Sequence, residues 1–201
     1  QFTSPINIAI PSGNFGNAYS AWFGRENGLP INEIFCASNV NDVLTRFISS
    51  GKLEPKETIP SVAPSMDIQI PSSLERLIYN LEGEASSFYD QLQSEKIANL
   101  TEESTVKLQN IFSSLSFDDE MILKEIELFY KNYGWIIDPH TATALSSSTS
   151  FSSNLPVVGV ATASPEKFSD VISKIIDEFT VENEKNEEKF LVQKANSSLV
   201  E

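Results

Sequence analysis

The first fifty residues switch twice between two hydrophobic periodicities, and this switching restricts the fold more than any other feature. Ile6-Asn7-Ile8-Ala9-Ile10 is a short β-branched run that stops at Pro11-Ser12-Gly13. Residues 17–26 then carry Ala18, Ala21, Trp22 and Phe23 at helical spacing, closed by Gly28 and Pro30. Ile34-Phe35-Cys36-Ala37 reads as a second strand. Asn41-Asp42 offers a cap to a helix with Val43, Leu44, Phe47 and Ile48, which Gly51 ends. Strand, helix, strand, helix in this order calls for parallel strands with right-handed crossovers. The expected fold class is therefore α/β, a parallel sheet in a three-layer arrangement.

Beyond residue 51 the texture changes. Four of the ten prolines (Pro55, Pro60, Pro64, Pro71) fall between 52 and 73, a connection longer than a structural link needs and of the kind that often carries function. Residues 72–133 read as helical. Leu74, Leu77, Ile78 and Leu81 make one apolar stripe, and Phe88, Tyr89 and Leu92 continue it past Gly83. Thr101 caps a helix expected to carry Val106, Leu108, Ile111, Phe112 and Leu115, and Asp118-Asp119-Glu120 opens another that ends at Gly134. Asp138-Pro139 pairs a cap with a first-turn proline and starts a short helix. Residues 146–153 hold six serines and are expected to be mobile. Val157-Val158-Gly159-Val160-Ala161 is a third core strand. Pro165 opens a final amphipathic helix with Phe168, Val171, Ile172, Ile175, Ile176 and Phe179. The division expected is 1–71, βα units with the glycine turn; 72–133, a helical insertion; 134–180, a return to the sheet and a final helix; and 181–201, a charged, disordered tail.

Composition removes several function classes. The net charge is −14 and the pI near 4.4, which repels phosphate backbones and anionic lipid, so neither nucleic acid nor a membrane is an expected partner. No stretch reaches the roughly 18 consecutive apolar residues of a membrane span. Cys36 stands alone, so no internal disulfide forms, and its apolar neighbours mark it as a buried thiol rather than a reactive one. A reducing, cytoplasmic setting fits. One His and one Cys argue against a zinc site. The chain starts at Gln1, almost on a strand, and reads as a piece of something longer.

The chemistry gathers at Ser12-Gly13-Asn14-Phe15-Gly16-Asn17, between a strand and a helix. Glycines let the backbone turn sharply and approach a ligand. The helix that follows presents unpaired N–H groups and the positive end of its dipole, and the Ser and Asn side chains add neutral donors. Such a turn suits a phosphate monoester. It lacks the lysine of a nucleotide P-loop and does not follow dinucleotide spacing. The plainer alternative is that the glycines only shape a βα turn.

Pro11 through Asn17 resembles the phosphate-binding loop of the threonine synthases, which are fold-type II (tryptophan synthase β-like) enzymes dependent on pyridoxal 5′-phosphate. Further blocks resemble the family in the same order. They are Ala37-Ser38-Asn39-Val40-Asn41-Asp42-Val43-Leu44-Thr45-Arg46-Phe47, Ser65-Met66-Asp67-Ile68 with Pro71-Ser72-Ser73-Leu74-Glu75-Arg76-Leu77, Asp138-Pro139-His140-Thr141-Ala142, and Ala161-Thr162-Ala163-Ser164-Pro165-Glu166-Lys167-Phe168. The resemblance implies that Gly13, Asn14, Phe15, Gly16 and Asn17 hold the cofactor phosphate. It places Thr162 beside the pyridine nitrogen, where a neutral hydroxyl leaves that nitrogen largely unprotonated and restrains the electron sink. It places the lysine that binds the cofactor in an N-terminal half absent from this chain, so no catalytic residue is expected here. Ser164 departs from the family's usual His.

His140 is expected to line the substrate site or serve the structure. Proton transfer is the less favoured role, because a helix N-terminus disfavours its charged form. Asp67 and Arg76 are read either as lining the site or as a capping Asp and a solvated or ion-paired Arg. The implied reaction of the intact protein converts O-phospho-L-homoserine and water to L-threonine and phosphate. Two alternatives stand beside it. One is a related phospholyase that releases a keto acid and ammonia; the other is a non-catalytic fragment that binds a partner.

Overall fold

The computed structural model describes residues 4–176. Its main sheet has four strands, all parallel, in the order β5-β2-β1-β6: β1 Ile6–Pro11, β2 Ile31–Ser38, β5 Phe112–Ser116 and β6 Val157–Gly159. A two-stranded antiparallel ribbon, β3 Lys52–Leu53 with β4 Ala98–Asn99, sits apart from it. Helices α1 Gly16–Glu26 and α2 Val43–Ser50 follow β1 and β2, as the switching periodicity requires. The αL glycine expected after α2 is Gly51, at φ 72°. Asp42 precedes α2 but caps it with no side-chain bond; its carboxylate instead accepts from Arg46 Nε at 2.8 Å.

Alternation along β2 sorts the core into two layers. Ile34 and Cys36 pack with Ile10 of β1, Phe112 of β5 and the buried faces of α1, α2, α3 Leu74–Glu82, α4 Ser86–Glu95 and α5 Glu102–Ile111. Phe35 and Ala37 point the other way, onto Ile122 and Ile126 of α6 Asp119–Tyr133, Ala142 of α7 Pro139–Ser146, and Met66. Ile172 of α8 Ser169–Ile172 and Ile176 join this second layer. Helices thus cover both faces of a parallel sheet, the three-layer α/β arrangement expected.

Three expectations need correction. Residues 72–133 are not all helical: α5 stops at Ile111 and the chain passes without a loop into β5, a strand of the main sheet. The helical spacing that ties Leu108 to Phe112 and Leu115 is also compatible with a short edge strand. Register decides the matter, because Ile34 pairs Phe112 and Ala37 pairs Leu115. The serine-rich stretch is held to the sheet. Ser147 is buried in a 3-10 turn, Ser153 Oγ accepts from Asn7 Nδ2 at 2.9 Å, and Ser152 Oγ donates to Glu33 at 2.7 Å. The long final helix is instead a 3-10 turn, Pro165–Phe168, followed by the single turn of α8. Phe179 and the charged tail lie outside the described residues. Among the described residues, no helix is long and apolar enough to cross a membrane.

Candidate functional site

The C-terminal ends of β1 and β2 converge on the glycine turn. Ser12 N–H donates to Ala37 O at 2.8 Å, which extends the β1–β2 ladder to the last residue before the turn. Phe15, the residue preceding α1, has φ 70°, a left-handed conformation uncommon for a side chain of this size. Its ring, 1% exposed, packs edge-on to Phe112 with centroids 5.1 Å apart, and this burial stabilises the strained backbone. No side chain caps α1. Among the described residues, none of the N–H groups from Gly13 to Ala18 donates a hydrogen bond. A row of open donors at a helix N-terminus is the arrangement that accepts a phosphate.

A second wall faces the turn. A Cβ at Gly13 would lie 3.0 Å from Met66 Cα and from Ser65 O, so only glycine lets the turn and the 3-10 segment Pro64–Met66 come this close. The wall is tied down from below by Asp67. Its carboxylate accepts from Asn39 Nδ2 (2.7 Å), Asn41 Nδ2 (3.0 Å), Ser61 Oγ (2.6 Å) and Ser61 N–H (3.0 Å). The proline-rich loop is thereby anchored to the end of β2.

The third wall is the start of α7. Asp138, 1% exposed, caps the helix through bonds from His140 N–H (2.9 Å) and Thr141 N–H (3.3 Å), and also receives the Thr141 hydroxyl. Burial alone would push the Asp138 carboxyl up. The side-chain and backbone hydrogen bonds from His140 and Thr141 outweigh it and hold the group below its ordinary value. His140, 2% exposed, sets Nδ1 3.0 Å from Asp138 Oδ1, and its Nε2 accepts from Ser65 N–H at 3.1 Å. Asp138, His140 and Ser65 look at first like a nucleophile triad. However, the base nitrogen is already engaged by a backbone amide, so proton abstraction would require breaking that bond. Thr162, itself exposed, and Ala163, beyond the end of β6, line a further side of what remains an open cleft.

These walls bound a cavity of about 280 Å³ lined by Pro11, Gly13 to Asn17, Ser65, Met66, His140, Thr162 and Ala163. The structure therefore brings together Gly13, Asn14, Phe15, Gly16, Asn17, Thr162 and His140, which come from three distant parts of the chain. It does not bring Asp67 or Arg76 to the cavity. Asp67 is the anchor of the loop below, and Arg76 is exposed on α3. Ser12, expected to add a donor, turns its hydroxyl back to Ile10 O at 3.1 Å. Asn14 is also partly turned outward, its Oδ1 accepting from Ser72 Oγ at 3.1 Å while its backbone carbonyl accepts from Ser73 N–H at 3.0 Å. Ser164 does not reach the cavity. Ser65 and Met66 are lining residues to which the sequence assigned no site role; their signals were a place in an overlong, proline-rich connection and in the Ser65-Met66-Asp67-Ile68 block that resembles the family. Cys36 is fully buried, and burial, only partly opposed by a bond from Ser12, pushes its thiol up to about 12. It is no nucleophile at neutral pH.

No protein-family profile matches the chain. Curated relatives do. Threonine synthase from Pseudomonas aeruginosa is 30% identical over 175 residues, covering 84% of this chain and 37% of that protein. Threonine synthase-like 1 from Macaca fascicularis is 34% identical over 183 residues, covering 88% of this chain and 25% of that protein. Among solved structures, pyridoxal-phosphate-bound threonine synthase from Brucella melitensis superposes with a TM-score of 0.82 at 29% identity, over 85% of this chain and 38% of that one. The parallel sheet with helices on both faces is thus the fold-type II architecture, as the sequence resemblance implied. The chain spans less than two fifths of the length of each of these proteins. Over the four fifths or more of its residues that align, the chain belongs to the threonine synthase family and represents a portion of it.

Proposed function

We propose that this chain is the C-terminal portion of a pyridoxal-phosphate-dependent threonine synthase, and that its cavity holds the cofactor's phosphate and the nitrogen side of its ring. The observation that carries this reading is the meeting on one cavity of the amides at 13–17, which have no partner among the described residues, the close approach of Gly13 to the Ser65–Met66 backbone, and Thr162. That donor set fits a phosphate monoester joined to a ring. It has a helix N-terminus and neutral groups, with no lysine among the lining residues to select a triphosphate. Its volume, about 280 Å³, falls just under the usual range for small-ligand sites of about 300–1,000 Å³, as suits a site that holds only part of the cofactor.

In this reading the amides of Gly13 to Asn17 bind and orient the phosphate. Phe15 fixes the turn from beneath, and the Thr162 hydroxyl faces the ring nitrogen without delivering a full proton. Pyridoxal phosphate supplies, when bound, an electron sink for negative charge beside the amino group of a substrate amino acid. The chain's own contribution is placement. His140 moves no proton, because Nε2 is occupied by Ser65 N–H and Nδ1 by Asp138. The lysine that would bond the cofactor lies in the N-terminal portion of the enzyme. For the intact protein the reaction is O-phospho-L-homoserine plus water giving L-threonine and phosphate, in a cytoplasmic setting.

The test is pyridoxal phosphate binding by the 201-residue chain and by its Gly16→Trp variant. A Cβ at Gly16 meets nothing nearer than Ser73 Oγ at 3.6 Å, so the first carbon of a side chain is tolerated there, while an indole crowds the turn that lines the cavity. Affinity should fall by at least about tenfold, the loss of one or two amide–phosphate bonds. The chain alone should form no threonine. Indifference to Gly16→Trp would sink the phosphate assignment. A stoichiometric, borohydride-trapped cofactor on one lysine of this chain would overturn the placement of the reactive lysine elsewhere. For the intact protein, release of 2-oxobutyrate in place of threonine would point to the phospholyase.

A further inference from the structure

The wall opposite the glycine turn is held by a side chain with no evident reason to be a histidine. His140 is 2% exposed, its ring packs on Phe168 with centroids 5.0 Å apart, and it sits between a carboxylate and a backbone amide. The two neighbours impose opposite demands. The Asp138 carboxylate accepts, so Nδ1 must carry the proton. Ser65 N–H donates, so Nε2 must carry the lone pair. Asp138 is itself locked by the helix cap and by Thr141. The tautomer is thus determined by α7, and the group it determines is an acceptor aimed at the Pro64–Met66 turn.

That turn is the one whose backbone lies 3.0 Å from a Cβ at Gly13. Asn39 Nδ2 donates to Ala63 O at 3.2 Å and Asp67 anchors the residues after it, while the Thr143 hydroxyl of α7 reaches Met66 Sδ at a long 4.0 Å. The bond from Ser65 to His140 is the backbone tie of the turn to α7 at the cavity. We propose that His140 is a positioning residue: held by Asp138 as the Nδ1–H tautomer, it accepts from Ser65 N–H and sets the distance between the Pro64–Met66 wall and the glycine turn, and hence the fit of the cofactor phosphate. This rests on the cofactor reading above and deepens it. Without the acceptor, the N–H of Ser65, an exposed residue, would turn to water, and the wall would lose its backbone tie to α7.

The experiment combines hydrogen exchange at the Ser65 amide with binding of pyridoxal phosphate and inorganic phosphate. It compares the 201-residue chain with His140→Ala and His140→Gln, with circular dichroism confirming that each variant folds. Glutamine can set an oxygen where Nε2 stands and keep the acceptor without the imidazole. Exchange at Ser65 should quicken by about tenfold or more in His140→Ala, the loss of one hydrogen bond, and remain within about threefold of wild type in His140→Gln. Affinity for both probes should follow the same order. Unchanged exchange at Ser65 in His140→Ala would overturn the proposal. So would an equal loss of affinity in both variants, since that points to ring packing alone. If Ser65 exchange responds but phosphate affinity does not, the positioning role is wrong while the cofactor reading survives. If wild type binds neither probe, the cofactor reading fails, and the role of His140 in it fails too.

Discussion

Asp138 receives four donors from two residues: His140 N–H, His140 Nδ1–H, Thr141 N–H and Thr141 Oγ1–H. Removing the carboxylate in Asp138→Ala takes away a helix cap and leaves buried donors unpaired, which should cost about 2–4 kcal/mol in urea denaturation at neutral pH. The pH dependence follows from the lowered pKa of this group. A carboxylate with a folded value below its unfolded one contributes fully above the unfolded value of about 3.9, and its contribution is lost as pH falls through the folded value. The gap between wild type and Asp138→Ala should therefore be constant through neutral pH and narrow only below about pH 4; a gap that widens on acidification would contradict the assignment. The cap was legible in Asp138-Pro139 because capping is local. The partnership of His140 with Ser65 was not, since it joins positions 75 apart in sequence, and nothing in a linear pattern ranks one distant amide over another. Asp67 shows the same limit. Its short polar side chain beside a loop suits either a ligand or an anchor, and only the positions of Asn39, Asn41 and Ser61 decide for the anchor.

Elements were readable where period and punctuation agreed. β1, α1, β2 and α2 follow their hydrophobic patterns within a few residues, and Gly51 ends α2 at a positive φ as expected. β5 escaped because Phe112-Ser113-Ser114-Leu115-Ser116 continues the spacing of α5 and has no β-branched residue. Its place comes from pairing with β2, and Ser114 supports it by donating to Cys36 O at 2.6 Å. Gly51 also controls how α5 approaches α2. A Cβ there would collide with Thr105 Oγ1 and lie 3.0 Å from Thr105 Cβ and Cγ2. Gly51→Ala should thus lose about 2–4 kcal/mol, from a left-handed alanine and a displaced helix together. Adding Thr105→Ala should recover part of this but not the backbone share. Thermal or urea melts of the single and double variants would measure the split, and full recovery would show that the conformation at residue 51 costs nothing.

The whole molecule is strongly acidic, with a net charge of −14, yet its proposed ligand is an anion. Self-repulsion at this charge opposes the compact state. Raising sodium chloride from about 10 mM to about 300 mM shortens the Debye length from about 30 Å to below 10 Å and should raise the melting temperature by several degrees at neutral pH. A melting temperature that falls over this range would mean that attractive surface pairs outweigh the net charge. The two-layer core around one parallel sheet was visible in outline from the first fifty residues, whereas the cavity was not. Its walls come from β1, the proline-rich loop, α7 and the segment after β6, and it exists only once the sheet has assembled. Phe15 ties that assembly to the turn, because the ring that holds the left-handed residue in place is part of the principal core. The turn is consequently shaped before any ligand arrives. For the proposed phosphate ligand this anchoring lowers the ordering cost of capture, which leaves access and the acidic field of the surface to set its speed.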